Sequence, residues 1–514
     1  MSSALPEAAL KQPDPTRWKA LAFIAVAQLM VVLDATIVNI ALPTAQTDLG
    51  ISDGNRQWVI TAYALAFGGL LLFGGRIADI WGRKRTFITG LIGFAGASAL
   101  GGAATGQEML FASRALQGAF GALLAPAALS LLAVLFTDGK ERAKAFGIYG
   151  AIAGGGGALG LILGGALTEF LNWRWTFFVN IPFAVVAVLG ALAYINDPAG
   201  SRNRSPLDIP GVILSTTGLV SLVYGFTRAE SHGWSDSITV TMFVASVVLL
   251  ASFVGWESKA KAPLLPLRVL VDRNRGGVYL SLGLAVIAMF GLFLFLTFYL
   301  QVVKEFSALK TGFAFLPMIV GMITGSTQIG ARLMLRLPAR ALMAPGFLTA
   351  AAGMLVLSQI SVDSSYWGLL APGMLLMGLG MGTAFMPAMS LATYGVETRD
   401  AGVASAMVNT SQQVGGAIGT ALLNTIAASA TTSWVTSHGS EAGTLGKQAF
   451  ANAAAVHGYS TAIWWAVGIL VVSATIAFTF VNAGRPGGGR STVATAGGKA
   501  DAEEQADAPL VAMH

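Results

Sequence analysis

The chain has no cysteine among its 514 residues, which excludes disulfides and thiol chemistry and leaves the redox compartment unread. Charge is scarce as well: Asp, Glu, Lys and Arg make up 11%, against about 25% in an ordinary soluble domain. The four histidines, His232, His438, His457 and His514, are far apart, and no His-Glu-x-x-His occurs. Neither a metal site nor a membrane-embedded metalloenzyme is expected from that pattern. No glycine-rich loop is followed by Lys-Ser or Lys-Thr, so no nucleotide cofactor and no direct drive by ATP are expected. The short alternating segments of a transmembrane barrel are missing. So are the filter-like loops or rings of acids that would mark a channel.

Apolar residues are abundant instead, at 54%, and the mean hydropathy is +0.68. Runs of about twenty apolar residues recur from end to end, so the chain reads as an all-α integral membrane protein. They lie near 20–43, 57–75, 86–105, 109–136, 143–168 and 176–196, then 208–227 and 238–256, then 277–301, 311–333, 341–360, 367–393, 401–427 and 460–482. That makes fourteen spans in a six, two, six pattern. The expected units are a terminal segment 1–19, a six-helix bundle 20–200, two inserted helices 201–260, a second six-helix bundle 261–483 and a tail 484–514. The first run is too long for the core of a signal peptide and reads as a retained span. The tail, rich in Gly, Ala and mixed charge, reads as disordered. The polar stretch 428–459 reads as a long outer loop.

The net charge of +6 does not point to nucleic acid, because its source is topological. Arg83, Lys84 and Arg85 follow span two, and Lys140, Arg142 and Lys144 follow span four. Arg202 and Arg204 follow span six, Lys259, Lys261, Arg268, Arg273 and Arg275 follow span eight, and Arg332, Arg336 and Arg340 surround the end of span ten. All fall on one side if the count holds, which the positive-inside rule makes cytoplasmic, with both termini inside; the expected location is the plasma membrane.

Asp34 interrupts the apolar run Leu21 to Leu42. A carboxylate there costs about 2.5–3.5 kcal/mol on insertion scales, so it is expected to serve a function such as taking up and releasing a proton. The alternative is a structural acid satisfied by a neighbouring donor. Arg114 interrupts span four in the same way and must be paired or hydrated, unless it snorkels to the interface. The segment 75–85 has a weak echo at 331–340, and Gly121–Pro126 echoes Gly382–Pro387, as a duplicated six-helix unit requires. Such repeats are common in transporters, whose substrate sites lie between the halves. The membrane charges concentrate in the first half, since Leu335 and Leu375 stand where Asp79 and Arg114 would recur.

Five motifs, in order along the chain, resemble those of the fourteen-span drug/proton antiporter family of the major facilitator superfamily. Leu33 to Pro43 resembles the first-span motif, and Gly75 to Arg85 the loop between spans two and three. Arg114-Ala115-Leu116-Gln117-Gly118 resembles the fourth-span motif, Trp173 to Pro182 the approach to span six, and Asn409 to Gly419 the thirteenth-span pattern. The resemblance implies the major facilitator fold and a monomer. It also implies proton-coupled export of hydrophobic or amphipathic small molecules such as drugs and antibiotics, with Asp34 and Arg114 coupling the proton. Uptake of a small metabolite by proton symport on the same fold is the alternative.

The resemblance makes Gly75, Asp79, Gly82, Arg83 and Lys84 a cytoplasmic latch; Ile80 stands where a basic residue is frequent. Gly75 would let two helices approach, and Gly82 would permit a tight turn. Gly156, Gly160, Gly164 and Gly165 match the span-five antiporter motif G-x-x-x-G-P-x-x-G-G, with Leu161 in place of its proline. Asn39, Gln117, Gln301, Asn409 and Gln413 are candidate polar residues of the substrate cavity. Met289, Phe290, Phe293, Phe295, Phe298 and Tyr299 line a greasy cavity or face lipid. The absence of an acid deep in the last six spans favours neutral, zwitterionic or monocationic cargo.

Overall fold

The computed structural model describes residues 15–51, 58–196, 206–394, 396–397, 400–439 and 446–482. The expected tail 484–514, Arg202, Arg204 and most of the segment 1–19 lie outside the described residues. Fourteen long helices run through the described residues. The first six are α1 (Arg17–Asp48), α2 (Trp58–Trp81), α3 (Arg83–Gly102), α4 (Gln107–Leu135), α5 (Gly139–Phe170) and α6 (Asn180–Tyr194). Two follow as α7 (Ile209–His232) and α8 (Ser237–Glu257). The last six are α9 (Arg273–Phe298), α10 (Leu309–Leu333), α11 (Arg340–Leu357), α12 (Ala371–Thr393), α13 (Ala401–Ser437) and α14 (Lys447–Phe480).

Twelve of these are long and apolar enough to cross a membrane; the other two are α3 and α5. In α3 the opening Arg83-Lys84-Arg85 shortens the apolar stretch. In the first half α4 packs on α2 and α3, while α1 packs on α5 and α6. In the second, α11 packs on α12 and α14, and α9 on α13 and α14. The halves meet along α2 with α13 and along α5 with α10 and α12. The inserted pair is not a free spacer: α7 lies against both α2 and α13. Trp58 of α2 stacks on Tyr224, and the Trp234 indole donates to Thr425 of α13 at 2.9 Å. Its partner α8 is peripheral, with Val240, Val244, Val247, Val248 and Val254 exposed as lipid-facing residues are.

Two expectations change. The polar stretch read as a loop is largely helical, because α13 continues to Ser437 and α14 already begins at Lys447. At 37 residues and 1.5 Å per residue, α13 is about 55 Å long, well beyond the membrane core. Its Thr431, Thr432 and Thr436 hydroxyls donate to carbonyls one turn back, so these polar side chains are satisfied within the helix. Trp434 packs there on Phe450 and His438, tying the two helices together. The residues of α9 do not share one face either. Phe295 and Tyr299 are buried inside the second half, whereas Phe290 and Phe298 are about half exposed. A helix advances about 100° per residue, so a run of adjacent aromatics necessarily points several ways.

Candidate functional site

Asp34 is fully buried inside the first half, ringed by side chains from α3, α4 and α6. Its Oδ2 accepts from Arg114 Nη1 at 2.7 Å. Its Oδ1 accepts from Gln117 Nε2 and from Asn180 Nδ2, both at 2.8 Å. Arg114 and Gln117 are three residues apart on α4 and so share a face. Arg114 Nη1 also donates to Gln117 Oε1 at 2.8 Å. A guanidinium has no acceptor, so this contact orients the amide and turns its NH2 toward the acid. Ser98 of α3 closes the ring, accepting from Gln117 at 2.6 Å and from Asn180 at 3.1 Å.

Arg114 does not snorkel. It is buried, donates from Nε to the Val59 carbonyl at 2.9 Å, and lies over the Tyr63 ring at 4.4 Å. All three partners donate to Asp34, so the carboxylate acts purely as an acceptor. The cluster is neutral as a whole, one acid against one cation, which is how a membrane interior tolerates both.

The glycine run is packed on the helix that carries this acid. A Cβ at Gly160 would meet Thr36 Oγ1 at 1.9 Å, and one at Gly164 would meet Ile37 Cγ1 at 2.9 Å. Gly156 faces Val32 in the same way, while Gly165 faces Leu309 of α10. Close approach of α5 therefore joins α1 on one side to the second half on the other.

Gly75, Asp79, Gly82, Arg83 and Lys84 lie at the end of α2 and the start of α3, at an end of the bundle called here the basic face. Gly82 has φ +99°, a turn that only glycine adopts without strain. A Cβ at Gly75 would meet Gly402 O at 2.6 Å and Ala406 Cβ at 2.7 Å, so α2 and α13 touch there. Asp79 accepts from the backbone N–H groups of Gly402 at 2.9 Å and Val403 at 3.3 Å. These are free donors in the first turn of α13, where the helix dipole favours an anion. Arg83 lies 3.5 Å from Asp79 and donates to Ser130 at 2.7 Å. Lys84 donates to the Leu192 carbonyl at 3.0 Å.

The candidate cavity residues are not brought together. Gln117 belongs to the acid's own ring and is fully buried, because Arg114 one turn away claims it. Asn409 donates to Ser405 O within α13, and Gln413 lies beside Gly68 of α2. Gln301 sits in a π-helical turn after α9. The side chain of Asn39 lies outside the described residues. Among the described residues, the acids of the second half (Asp272, Glu305, Asp363, Glu397 and Asp400) stand at helix ends or in connections, not within spans.

A model of the Major Facilitator Superfamily matches residues 24–420. The chain belongs to that superfamily. Among its relatives there, the puromycin resistance protein of Streptomyces alboniger is 50% identical over 485 residues, covering 93% of this chain and 95% of that protein. The cephamycin export protein of Amycolatopsis lactamdurans is 38% identical over 421 residues, covering 81% and 86% respectively. The crystal structure of a human organic anion transporter superposes with a TM-score of 0.62 at 16% identity, over 90% of this chain and 100% of that one. This likeness concerns the fold alone.

Sequence reasoning missed several residues of this superfamily member. Asn180 lay in plain view in the motif before span six, as a lone amide beside an apolar helix. Ser98 and Tyr63 carry no signal, since a lone serine or tyrosine in a span is ordinary. Arg142 was grouped with the topological charges, yet it is 5% exposed and bonded to the other half.

Proposed function

We propose that this transporter exports hydrophobic or amphipathic compounds, antibiotics among them, in exchange for protons across the plasma membrane. The names of the 50% and 38% identical relatives support antibiotic resistance and export as the activity. The observation that carries the mechanism is the buried Asp34–Arg114 pair at 2.7 Å. We count α3 and α5 with the twelve apolar helices as fourteen spans. The basic face is cytoplasmic on this reading, with both termini inside, and the chain works as a monomer without a cofactor.

Halves that rock about a central site expose it to one side at a time. Asp34 takes a proton from outside when its ring of donors opens. The rearranged α1 moves α5, which is locked to it by Gly160 and borders α10 and α12. The proton leaves inward when Arg114, Gln117 and Asn180 close again on the carboxylate. Cargo is neutral, zwitterionic or monocationic, since among the described residues the second half offers no deep acid to a dication.

The test is efflux of a compound panel, puromycin included, from cells carrying wild type or Asp34→Asn, scored per folded molecule. Gradient-driven efflux is expected to fall at least tenfold. Undiminished efflux that still collapses with the proton gradient would take Asp34 out of the coupling role. In everted vesicles, drug should move against an imposed proton gradient; comigration with protons would favour symport.

A further inference from the structure

Arg142 stands in the first turn of α5, between two helix ends that belong to different halves. Nη1 donates to the Ala133 carbonyl at 3.1 Å and the Phe136 carbonyl at 3.4 Å, at the C-terminus of α4. Nη2 donates to the Ser390 carbonyl at 2.9 Å and Thr393 Oγ1 at 2.6 Å, at the C-terminus of α12. Nε donates to Ser390 Oγ at 3.1 Å, and the guanidinium lies 4.6 Å from the Phe146 ring. The last carbonyls of a helix have no partner within it and carry a partial charge of about −0.5. Two such ends brought together repel, and one full positive charge between them cancels both. α4 and α12 are the helices that the sequence repeat makes equivalent, and Arg142 bonds to the C-terminal end of each.

The next helix supplies the complement. α12 ends at Thr393 and α13 begins at Ala401, and the N-terminus of α13 is capped by Asp79 from α2. The first half thus presents a cation to the C-terminal end of one helix and an anion to the N-terminal end of the next. From the insert side, Arg268 holds the same connection through Asp400 at 2.5 Å.

We propose that Arg142 is a gating residue: it holds the basic face shut by capping α4 and α12 together, and opening of that face requires it to release α12 while keeping α4. This rests on the alternating-access reading and adds a named contact to it. The α4 contacts are six to nine residues away in the chain and travel with Arg142. The α12 contacts cross between halves and must break if the face opens.

The native chain has no cysteine, so spin labels can be placed without removing any. Thr137→Cys and Arg336→Cys put labels on exposed positions of the two halves at the basic face. Pulsed electron–electron distance measurements in nanodiscs, with and without puromycin and at two pH values, then read its opening. Arg142→Gln is expected to raise the long-distance fraction at least threefold. Arg142→Lys should restore part of the short distance, because it keeps the charge but loses the fork. Thr393→Val removes one crossing contact, leaves the α4 cap intact and should move the same way by less. Should Arg142→Gln fail to fold, Thr393→Val and Arg142→Lys decide the matter by the same measurement. A wild type with two distance populations that none of these variants alters overturns the gating role alone. A wild type with one population under every condition overturns alternating access itself, and the gating role with it.

Discussion

At the residue scale, Asp34 and Arg114 each solve the other's burial. Both are buried, and Arg114 bonds further to Val59 O of α2 and to Gln117 of its own helix, while Asp34 bonds further to Gln117 and Asn180. Removing one partner leaves the other as a buried charge with no counter-charge beside it, which costs about 3–5 kcal/mol. Arg114→Gln is therefore expected to lower thermal stability in detergent strongly. Asp34→Asn should do so as well, since its amide would present N–H groups to donors. The double variant should lose much less than the sum, a coupling of about 2 kcal/mol or more in a double-mutant cycle. Strict additivity would mean that the two side chains do not act as a pair. The acid and the arginine were legible in the sequence because charge in an apolar run stands out. Their contact was not, since it depends on the side-by-side placement of α1 and α4.

At the element scale, α5 shows how a glycine face turns composition into geometry. Gly160→Ala would force a methyl into Thr36 Oγ1 and separate α1 from α5. Overpacking of this kind costs about 1–3 kcal/mol. A lower unfolding temperature is expected, with partial rescue by Thr36→Ala, which deletes the nearest atom. No rescue would mean that the clash is relieved elsewhere. The inserted helices carry a pH signature of their own. Asp236 caps α8, accepts from Arg228 at 2.6 Å and from Thr239 N at 3.1 Å, and its carboxyl is lowered to about 2 by the Arg228 hydrogen bond first and the cap second. A carboxyl lower in the folded state than its ordinary value near 4 stabilises the fold above about pH 4. That contribution disappears as pH falls from about 4 through about 2. Melting curves of wild type and Asp236→Asn should therefore converge over this range, and a constant gap would contradict the assignment.

At the scale of the whole molecule, the seam between halves at the basic face is built from small residues and helix-end charges. Gly75 and Gly402 set its width, and Asp79 and Arg142 match the helix ends that meet there. Gly75→Leu cannot be accommodated with the face shut. It is expected to favour the open form and to lower transport several-fold without unfolding the protein. The same pair of spin labels would report this, and an unchanged short distance would show that the seam has slack. Across this seam the first half contributes the charges of Asp79 and Arg142, and the second half meets them with backbone groups and the Ser390 and Thr393 hydroxyls, an asymmetry that the two copies of a weak repeat do not reveal when simply aligned.

The chain's own residues determined the membrane class, the all-helical fold and the two buried charges. These follow from one-dimensional quantities: run length, hydropathy and the cost of a charge in hydrocarbon. Tertiary structure decided that Gln117 serves Asp34 rather than open lining, that Asn180 and Ser98 complete the ring, and that the polar ends of α13 and α14 are helical. It also decided that Arg142, one basic residue among many, sits between two helix ends. Hydrogen bonds reach about 3 Å and depend on direction, so partners from distant segments are chosen only when helices have packed and set their faces against one another.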